Sequence, residues 1–495
     1  MSPTRQVMPV IRRPEQLSSD DKRVITRYLD FGNPKRIRSI LRRLMSLPET
    51  DLSGLLDQIR SSFKPRHRDL DAAFLRNFAE VAPQIRKKSE LSENRKLVLG
   101  AYFTLEYSIE SAALFNPSIV LHPDQSGLGP DQLRFLMSLR ATGEGHVSSI
   151  VFRRGILHGD GRGEDHVIFD PPPRYAYTAK PTPDRGLSKI AFCRKLQEMG
   201  DCEDLVARVL IRLPDRFSPA QLIQAVNQVR KEPDTPSTFH AVADEMVWIA
   251  QANYELEFPE DVKPSETVIF PATAYERNGM EDLRLVRFLD EDGQVCYYGT
   301  YTAYDGRNLY VMLLETEDFH HFHVSTLSGK FARNKGMALF PRKVNGQYMM
   351  VGRHDGENLY LLRSNNLYVW NHSQKLQMPT EPWELVQIGN CGSPLETQAG
   401  WLLLTHGVGP VREYAIAATL LDRDDPSKIL GRLKRPLLVP NEEEREGYVP
   451  NVVYSCGAII HGDNLVIPYA MSDSRTAFAI VDVDDLVKQL LASGI

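Results

Sequence analysis

The stretch Asn278-Gly279-Met280-Glu281-Asp282-Leu283-Arg284 sets two carboxylates and a guanidinium within four residues, directly behind a glycine. Aliphatic Leu285, Val286 and Phe288 follow, which places the cluster at the mouth of a strand. Charges there serve either as a surface salt bridge or as a catalytic acid held by a neighbouring cation. In extended backbone Glu281 and Asp282 point to opposite faces, so only one of them enters a cleft, and Arg284 shares the face of Asp282. A general acid must keep its proton until it is needed, whereas a nearby arginine lowers a carboxyl pKa. A donor at this position therefore requires Arg284 to be turned toward another group.

Two further clusters lie downstream. Asn334-Lys335-Gly336, the apolar Ala338-Leu339-Phe340-Pro341, the turn Asn345-Gly346 and Val351-Gly352-Arg353-His354 read as a hairpin. Lys335 and Arg353 stand at its comparable outer ends. They are either separate exposed charges or a pair converging on an anion. In Thr405-His406-Gly407-Val408-Gly409 a histidine ends an apolar strand, suited either to bonding the turn backbone or to facing an anion or sugar hydroxyl. Asp473, after Tyr469-Ala470-Met471-Ser472, is a further acid at a strand end; a turn-forming aspartate is the plainer reading. His320, His321 and His323 are compact, but they lack a partner acid or cysteine at metal-ligand spacing, so no metal site is expected. Gly143-Glu144-Gly145-His146 lacks the ending of a phosphate-binding loop. The aromatics Tyr301, Tyr304, Trp370, Trp383 and Trp401 fit either a core or sugar stacking.

These residues need elements to hold them. Residues 1–95 read as a helical region, with apolar steps at Ile37, Ile40, Leu41, Leu44 and at Leu52, Leu55, Leu56, Ile59, and Asp51 as a cap for the second helix. Arginines fill the other faces. From 96 onward strand signals begin, such as 133–139 and 147–152, and a helical insertion at about 181–250 interrupts them. From about 265, short apolar runs such as 401–405 and 465–469 alternate with turns, which predicts a mainly β domain over 96–495. Periodicity alone leaves propeller, sandwich and barrel open.

The chain has 495 residues, 42% hydrophobic and 25% charged, enough for a large core in more than one unit. Its net charge of −5 excludes a global pull toward nucleic acid or anionic membrane. No apolar run reaches membrane-spanning length, and prolines and charges interrupt the first ten residues before a signal core can form. The five cysteines, Cys193, Cys202, Cys296, Cys391 and Cys456, are far apart and odd in number. They read as reduced thiols of a cytoplasmic protein.

In order along the chain, Phe115-Asn116-Pro117-Ser118, Gly279 to Arg284, Thr300 to Gly306, Asn334 to Pro341, His406-Gly407-Val408, Leu421 to Pro426 and Gly447 to Val453 resemble glycoside hydrolase family 130, the inverting β-mannoside phosphorylases and related mannosidases. The resemblance covers roughly 115–180 and 265–480. It implies a five-bladed β-propeller. The helical N-terminal region and the insertion fall outside the match; a lid or a subunit interface of a homo-oligomer is expected of them ahead of passive packing on the propeller. The resemblance implies Asp282 as the general acid, acting through a sugar hydroxyl, and Lys335, Arg353 and His406 as the phosphate-binding residues. Arg284, Tyr304, Asp305 and Asp473 fall at substrate-binding positions. Inorganic phosphate is then the co-substrate and no other cofactor is needed. The implied reaction is phosphorolysis of a mannobiose or manno-oligosaccharide with inversion, attack coming from the face opposite the acid. The alternatives are an inverting β-mannosidase that uses water and a non-catalytic carbohydrate-binding propeller. The chain departs from the family pattern at Leu283, where proline is usual, at Gly352, where a histidine usually precedes the arginine, and at Gly336, where an aspartate is common.

Overall fold

The computed structural model describes residues 8–85, 88–159, 165–183, 186–199 and 203–493; Cys202 lies outside them. Among these residues, strands build five antiparallel sheets of four to six strands and two small two-stranded ones. The first large sheet runs Ala113–Leu121, Gln132–Thr142, Ser148–Gly159, with Val268–Ile269 at its edge. The second starts with Met280–Leu289 and continues through Val295–Tyr304, Leu309–Thr316 and His321–Thr326. The third starts with Ala338–Leu339 and ends on His372–Gln377. The fourth begins with Gln387–Asn390 and is centred on Gly400–Val408 and Tyr414–Leu421. The fifth begins with Val453–Tyr454 and is centred on Asn464–Met471 and Arg475–Asp482.

The apolar runs behave as strands buried on both faces. Gly400–Val408 and Asn464–Met471 are buried at every position, which is why their sequences are near-continuous rather than alternating. Their neighbours lie on adjacent sheets. Leu136, Ile150 and Phe152 of the first sheet share a core with Leu283, Leu285 and Tyr301 of the second. Val286 and Leu313 of the second meet Leu339, Met350 and Trp370 at the third. Val351 and Leu361 of the third pack on Trp401 and Leu403 of the fourth. Leu404 and Ile416 of the fourth pack on Ile467 and Ala479 of the fifth. Val466 and Phe478 of the fifth return to Phe135 and Met137 of the first. Tyr301, Trp370 and Trp401 are therefore core residues.

Two helical segments have cores of their own. Pro34–Met45, Glu49–Phe63, Leu70–Val81 and Glu93–Tyr102 gather around Leu41, Leu52, Phe74 and Val98. Asn33 caps the first of them, accepting from the main-chain N–H groups of Lys35 and Arg36. The helices Lys189–Met199, Glu203–Leu210, Pro219–Arg230 and Phe239–Gln251 enclose Leu196, Val209, Leu222 and Met246.

Three expectations change. The region read as helical from residue 1 contains two strands before its first helix, Ile11–Leu17 and Val24–Tyr28, and its last helix continues past 95 to Tyr102. Ile11–Leu17 is half-exposed and polar, so it carries no periodic signal; it becomes a strand by pairing with Arg475–Asp482 at the other end of the chain. Asp51 lies within the first turn of its helix instead of capping it, because the helix begins after Pro48. No helix among the described residues is long and apolar enough to cross a membrane.

Candidate active site

Asp282 sits at a break in the second sheet's first strand. Glu281 pairs with Thr302 but Arg284 pairs with Thr300, so one extra residue is accommodated between them as a bulge. Asp282 takes a left-handed conformation there, φ 58°, and Gly279 precedes it at φ 127°. The bulge overturns the expectation that Glu281 and Asp282 face apart. Both carboxylates meet Arg140, at 3.0 Å from Nη2 and 3.5 Å from Nη1 respectively. Asn116 Nδ2 donates to Asp282 Oδ1 at 2.6 Å. Asn116 itself sits at φ 51° in an equivalent bulge of the first sheet, between Phe115 and Ser118. Asn334, beside Lys335, and Ser472 and Asp473 are left-handed as well. Backbone strain of this kind persists only where surrounding packing over-determines it, and it collects at functional sites.

Arg284 lies beneath this layer, only 2% exposed. Its guanidinium donates to the main-chain oxygen of Asp282, to Asn390 Oδ1 and to the Tyr454 hydroxyl. The group expected at the substrate is thus committed to the framework. Asn390 is a junction: its Nδ2 donates to the Gly336 carbonyl and its own carbonyl accepts from His406 Nδ1 at 3.0 Å. His406 Nε2 faces Arg353 Nη1 at 3.4 Å. Lys335 pairs with Glu281, so Glu281 is held between Lys335 and Arg140. Asp282, Lys335, Arg353 and His406 therefore belong to one connected network, with Asn390 joining its two halves. Within it, Arg353 Nε is buried with no hydrogen-bond partner among the described residues.

The electrostatics separate the two aspartates. Burial pushes the Asp282 carboxyl up, but Arg140, Arg284, Lys335 and the Asn116 hydrogen bond outweigh it and hold it below the usual carboxylate range. Burial and the charge of Asp282 push Asp473 up to about 6. Burial, with Arg353 and Arg284, holds His406 well below the ordinary imidazole range, so it is neutral.

Other predicted positions are less central. The Asp305 carboxylate is spent on its own turn, accepting from the N–H groups of Arg307 and Asn308 at 2.7 Å and from Tyr310. Tyr304 flanks the site through its backbone, bonded to Asn278 and Gly279. His354 does not replace the histidine missing at Gly352: its Nε2 meets Ser373 and its ring packs between Phe331 and Tyr360. His321 and His323 are paired with Asp318 and Glu315.

Comparison with known proteins now decides the family. A sequence profile described as β-1,4-mannooligosaccharide phosphorylase, of glycoside hydrolase family 130, matches residues 259–491. A 1,2-β-oligomannan phosphorylase of Thermoanaerobacter sp. (strain X514) is 34% identical over 222 residues, covering 43% of this chain and 72% of that protein. The chain belongs to glycoside hydrolase family 130. A β-1,2-mannobiose phosphorylase of Listeria innocua is 29% identical over 49% of this chain and 68% of its own length. A β-1,4-mannooligosaccharide phosphorylase of Ruminococcus albus is 33% identical over 31% and 50%. The solved Listeria innocua enzyme with β-1,2-mannobiose aligns at a TM-score of 0.46 and 20% identity over 78% of this chain and 94% of that one.

The family 130 profile omits part of the site. Asn116 and Arg140 lie before it, on the first sheet, and the site assignments from sequence missed both, along with Asn390 and Tyr454. Arg140 had a signal: it is a lone charge in the otherwise apolar or small run Leu136-Met137-Ser138-Leu139-Arg140-Ala141. Asn116 sits in the quoted Asn-Pro motif without a chemical cue of its own. Asn390 and Tyr454 act on residues distant in sequence, and nothing local marks them.

Proposed function

We propose that this protein cleaves a β-linked mannoside with inorganic phosphate, releasing α-mannose 1-phosphate with inversion. The observation that carries the reading is the placement of Lys335 and Arg353 in one network with a half-buried acid, Asp282, in a chain whose matched relatives are mannobiose and manno-oligosaccharide phosphorylases. In the reaction the bond from mannosyl C1 to the leaving oxygen breaks, a phosphate oxygen bonds C1 from the opposite face, and Asp282 supplies the leaving oxygen's proton through a sugar hydroxyl. Phosphate brings its own nucleophilic oxygen, so the site must align it and screen its charge.

Asp282 starts ionised because cations surround it. An anion bound at Lys335 and Arg353 offsets those charges and raises the proton affinity of Asp282, which takes its proton from the dihydrogen phosphate that enters, leaving hydrogen phosphate as the nucleophile. Phosphate on this reading both attacks and prepares the acid. Arg140 and Asn116 orient Asp282, Asp473 faces the mannosyl unit, and Tyr304 and Asp305 shape the rim.

We read the five sheets as blades of a five-bladed propeller. Their cores link each to the next and the fifth to the first. Each sheet, or the loop entering it, supplies a site residue: Asn116, Asp282, Lys335, Asn390 and Tyr454. At the far ends of the same inner segments a cavity of about 430 Å³ is lined by Leu121, Leu289, Pro341, Leu395 and Ile459, as a central channel requires. Residues 96–495 are then the catalytic unit, the helical insertion interrupts it, and the helical segments serve as a lid or a subunit interface of a cytoplasmic homo-oligomer.

The test is a panel of β-1,2-, β-1,3- and β-1,4-linked mannosides with and without phosphate. Mannose 1-phosphate formed only with phosphate is the expected result. Free mannose released equally well without it assigns hydrolysis instead. Asp473, a second carboxyl, raised to about 6 by partial burial and the charge of Asp282, is the feature that would serve water activation.

A further inference from the structure

A cavity of about 300 Å³ lies between the helical insertion and the outer face of the second sheet, and it shares no residue with the Asp282 network. Its two walls differ in chemistry. Leu187, Phe192 and Ile249 of the insertion form one wall, each buried, and Phe217 braces Phe192 edge-on at 5.1 Å. The other wall is the strand His321–Thr326 paired with Tyr254–Glu257, where Glu255 lies opposite His323. Alternation along these strands sends Tyr254, Leu256, Phe322 and Val324 into the sheet's core and leaves Glu255, His323 and Ser325 lining the cavity. Asn253 fixes the junction of the walls, accepting from the Thr326 N–H at 3.0 Å and donating to the Ile249 carbonyl at 3.1 Å. Ser325 is the anomaly. It is 5% exposed, and its hydroxyl has no hydrogen-bond partner among the described residues. Leaving a buried hydroxyl unpaired is costly, and this one can donate once and accept twice.

We propose that this cavity is a second binding site, for a single neutral sugar ring, separate from the catalytic site. The inference stands apart from the phosphorolysis reading. A pyranose carries an apolar C–H face and a rim of hydroxyls, which matches one apolar wall facing one hydrogen-bonding wall. The charges exclude an ionic ligand. Arg216, exposed and bonded to the Gly186 carbonyl at 3.3 Å, is offset by the exposed carboxylate of Glu255, so neither an anion nor a cation is favoured. Both side chains still serve hydroxyls, the guanidinium by donating and the carboxylate by accepting. One water, at roughly 30 Å³, leaves most of the space unfilled. A sugar ring fills it and gives the Ser325 hydroxyl its partner.

The test uses D-mannose and D-glucose as probes on the full chain, read by calorimetry and thermal unfolding. Ser325→Ala removes an unpaired hydroxyl, so without sugar its Tm should equal or exceed that of the native protein. The same variant should bind one of the two sugars about fivefold more weakly and gain less Tm from it. Ser325→Met fills the space and should abolish that binding. Arg216→Ala, at an exposed position, should weaken it about fivefold. All three variants should keep the native rate of mannoside turnover. Sugar binding that none of the three variants changes, or no binding of either sugar, overturns the proposal. Inorganic phosphate or magnesium ion bound in place of a sugar, and lost in Ser325→Met, overturns it as well. Mannoside turnover that needs no phosphate removes the phosphorolysis reading and leaves this inference standing.

Discussion

The two halves of the site are built differently. Around Asp282 the groups are mutually committed: Arg140 bridges both carboxylates, Asn116 donates to Asp282, and the buried Arg284 is tied to Asn390 and Tyr454. Around Arg353 the site is looser. Lys335 is 36% exposed along its side chain, and Arg353 has a buried Nε without a hydrogen-bond partner among the described residues and one long contact to His406. The difference fits the chemistry proposed for each. An acid must be oriented before the sugar arrives, whereas cations for a mobile co-substrate must be free to change partners when it enters.

The largest test of this contrast is Asp282→Asn. Turnover should fall by about 10³-fold with mannoside binding retained, measured by initial rates and calorimetry. Comparable turnover would place the acid elsewhere. Next, Arg353→Ala should raise the KM for phosphate by about 100-fold, the size of one charge-assisted hydrogen bond, and leave mannoside affinity nearly unchanged. A change on the sugar side alone would erase the distinction between the halves.

Asp473 links stability to the same comparison. Its folded pKa of about 6 lies above its ordinary value, so the native state binds more protons than the unfolded one between about pH 4 and 6. Its stabilising contribution is fully present below pH 4 and is lost as pH rises through 6. Asp473→Asn should therefore be more stable than the native protein at pH 7, by on the order of 2 kcal/mol, should match it near pH 4, and should be less active. Urea unfolding at the two pH values measures this. The smallest expected effect is the pH shift in Lys335→Ala. Removing a cation that holds Asp282 down should move the alkaline limb of the rate profile upward by under about one pH unit, while the KM for phosphate rises about tenfold. An unmoved limb would mean that Lys335 acts on Glu281 alone.

How legible the site was in sequence varied by residue. Asp282, Lys335, Arg353 and His406 stood out because each is a charged or titratable side chain beside a turn or strand end, and they do lie in one network. The orientation of Glu281 does not follow from sequence, because alternation presumes an unbroken strand and a single extra residue reverses it. Asp305 looked like a site residue by motif but serves its own turn. Arg284 shared the motif of the acid yet points inward to Asn390 and Tyr454.

Sequence by itself determined the strand-forming runs, the separate helical cores and the family, since apolar period and ordered motifs are local properties that survive without coordinates. The tertiary structure alone decided what surrounds the acid. Asn116, Arg140, Asn390 and Tyr454 reach Asp282 and Arg284 from other sheets, and the strand Ile11–Leu17 acquires its structure only from a partner at the opposite end of the chain. The physical reason is that hydrogen bonds and carboxyl pKa values depend on distance in space, and Asn116, Arg140, Asn390 and Tyr454 each lie more than a hundred residues of chain from the group they bond.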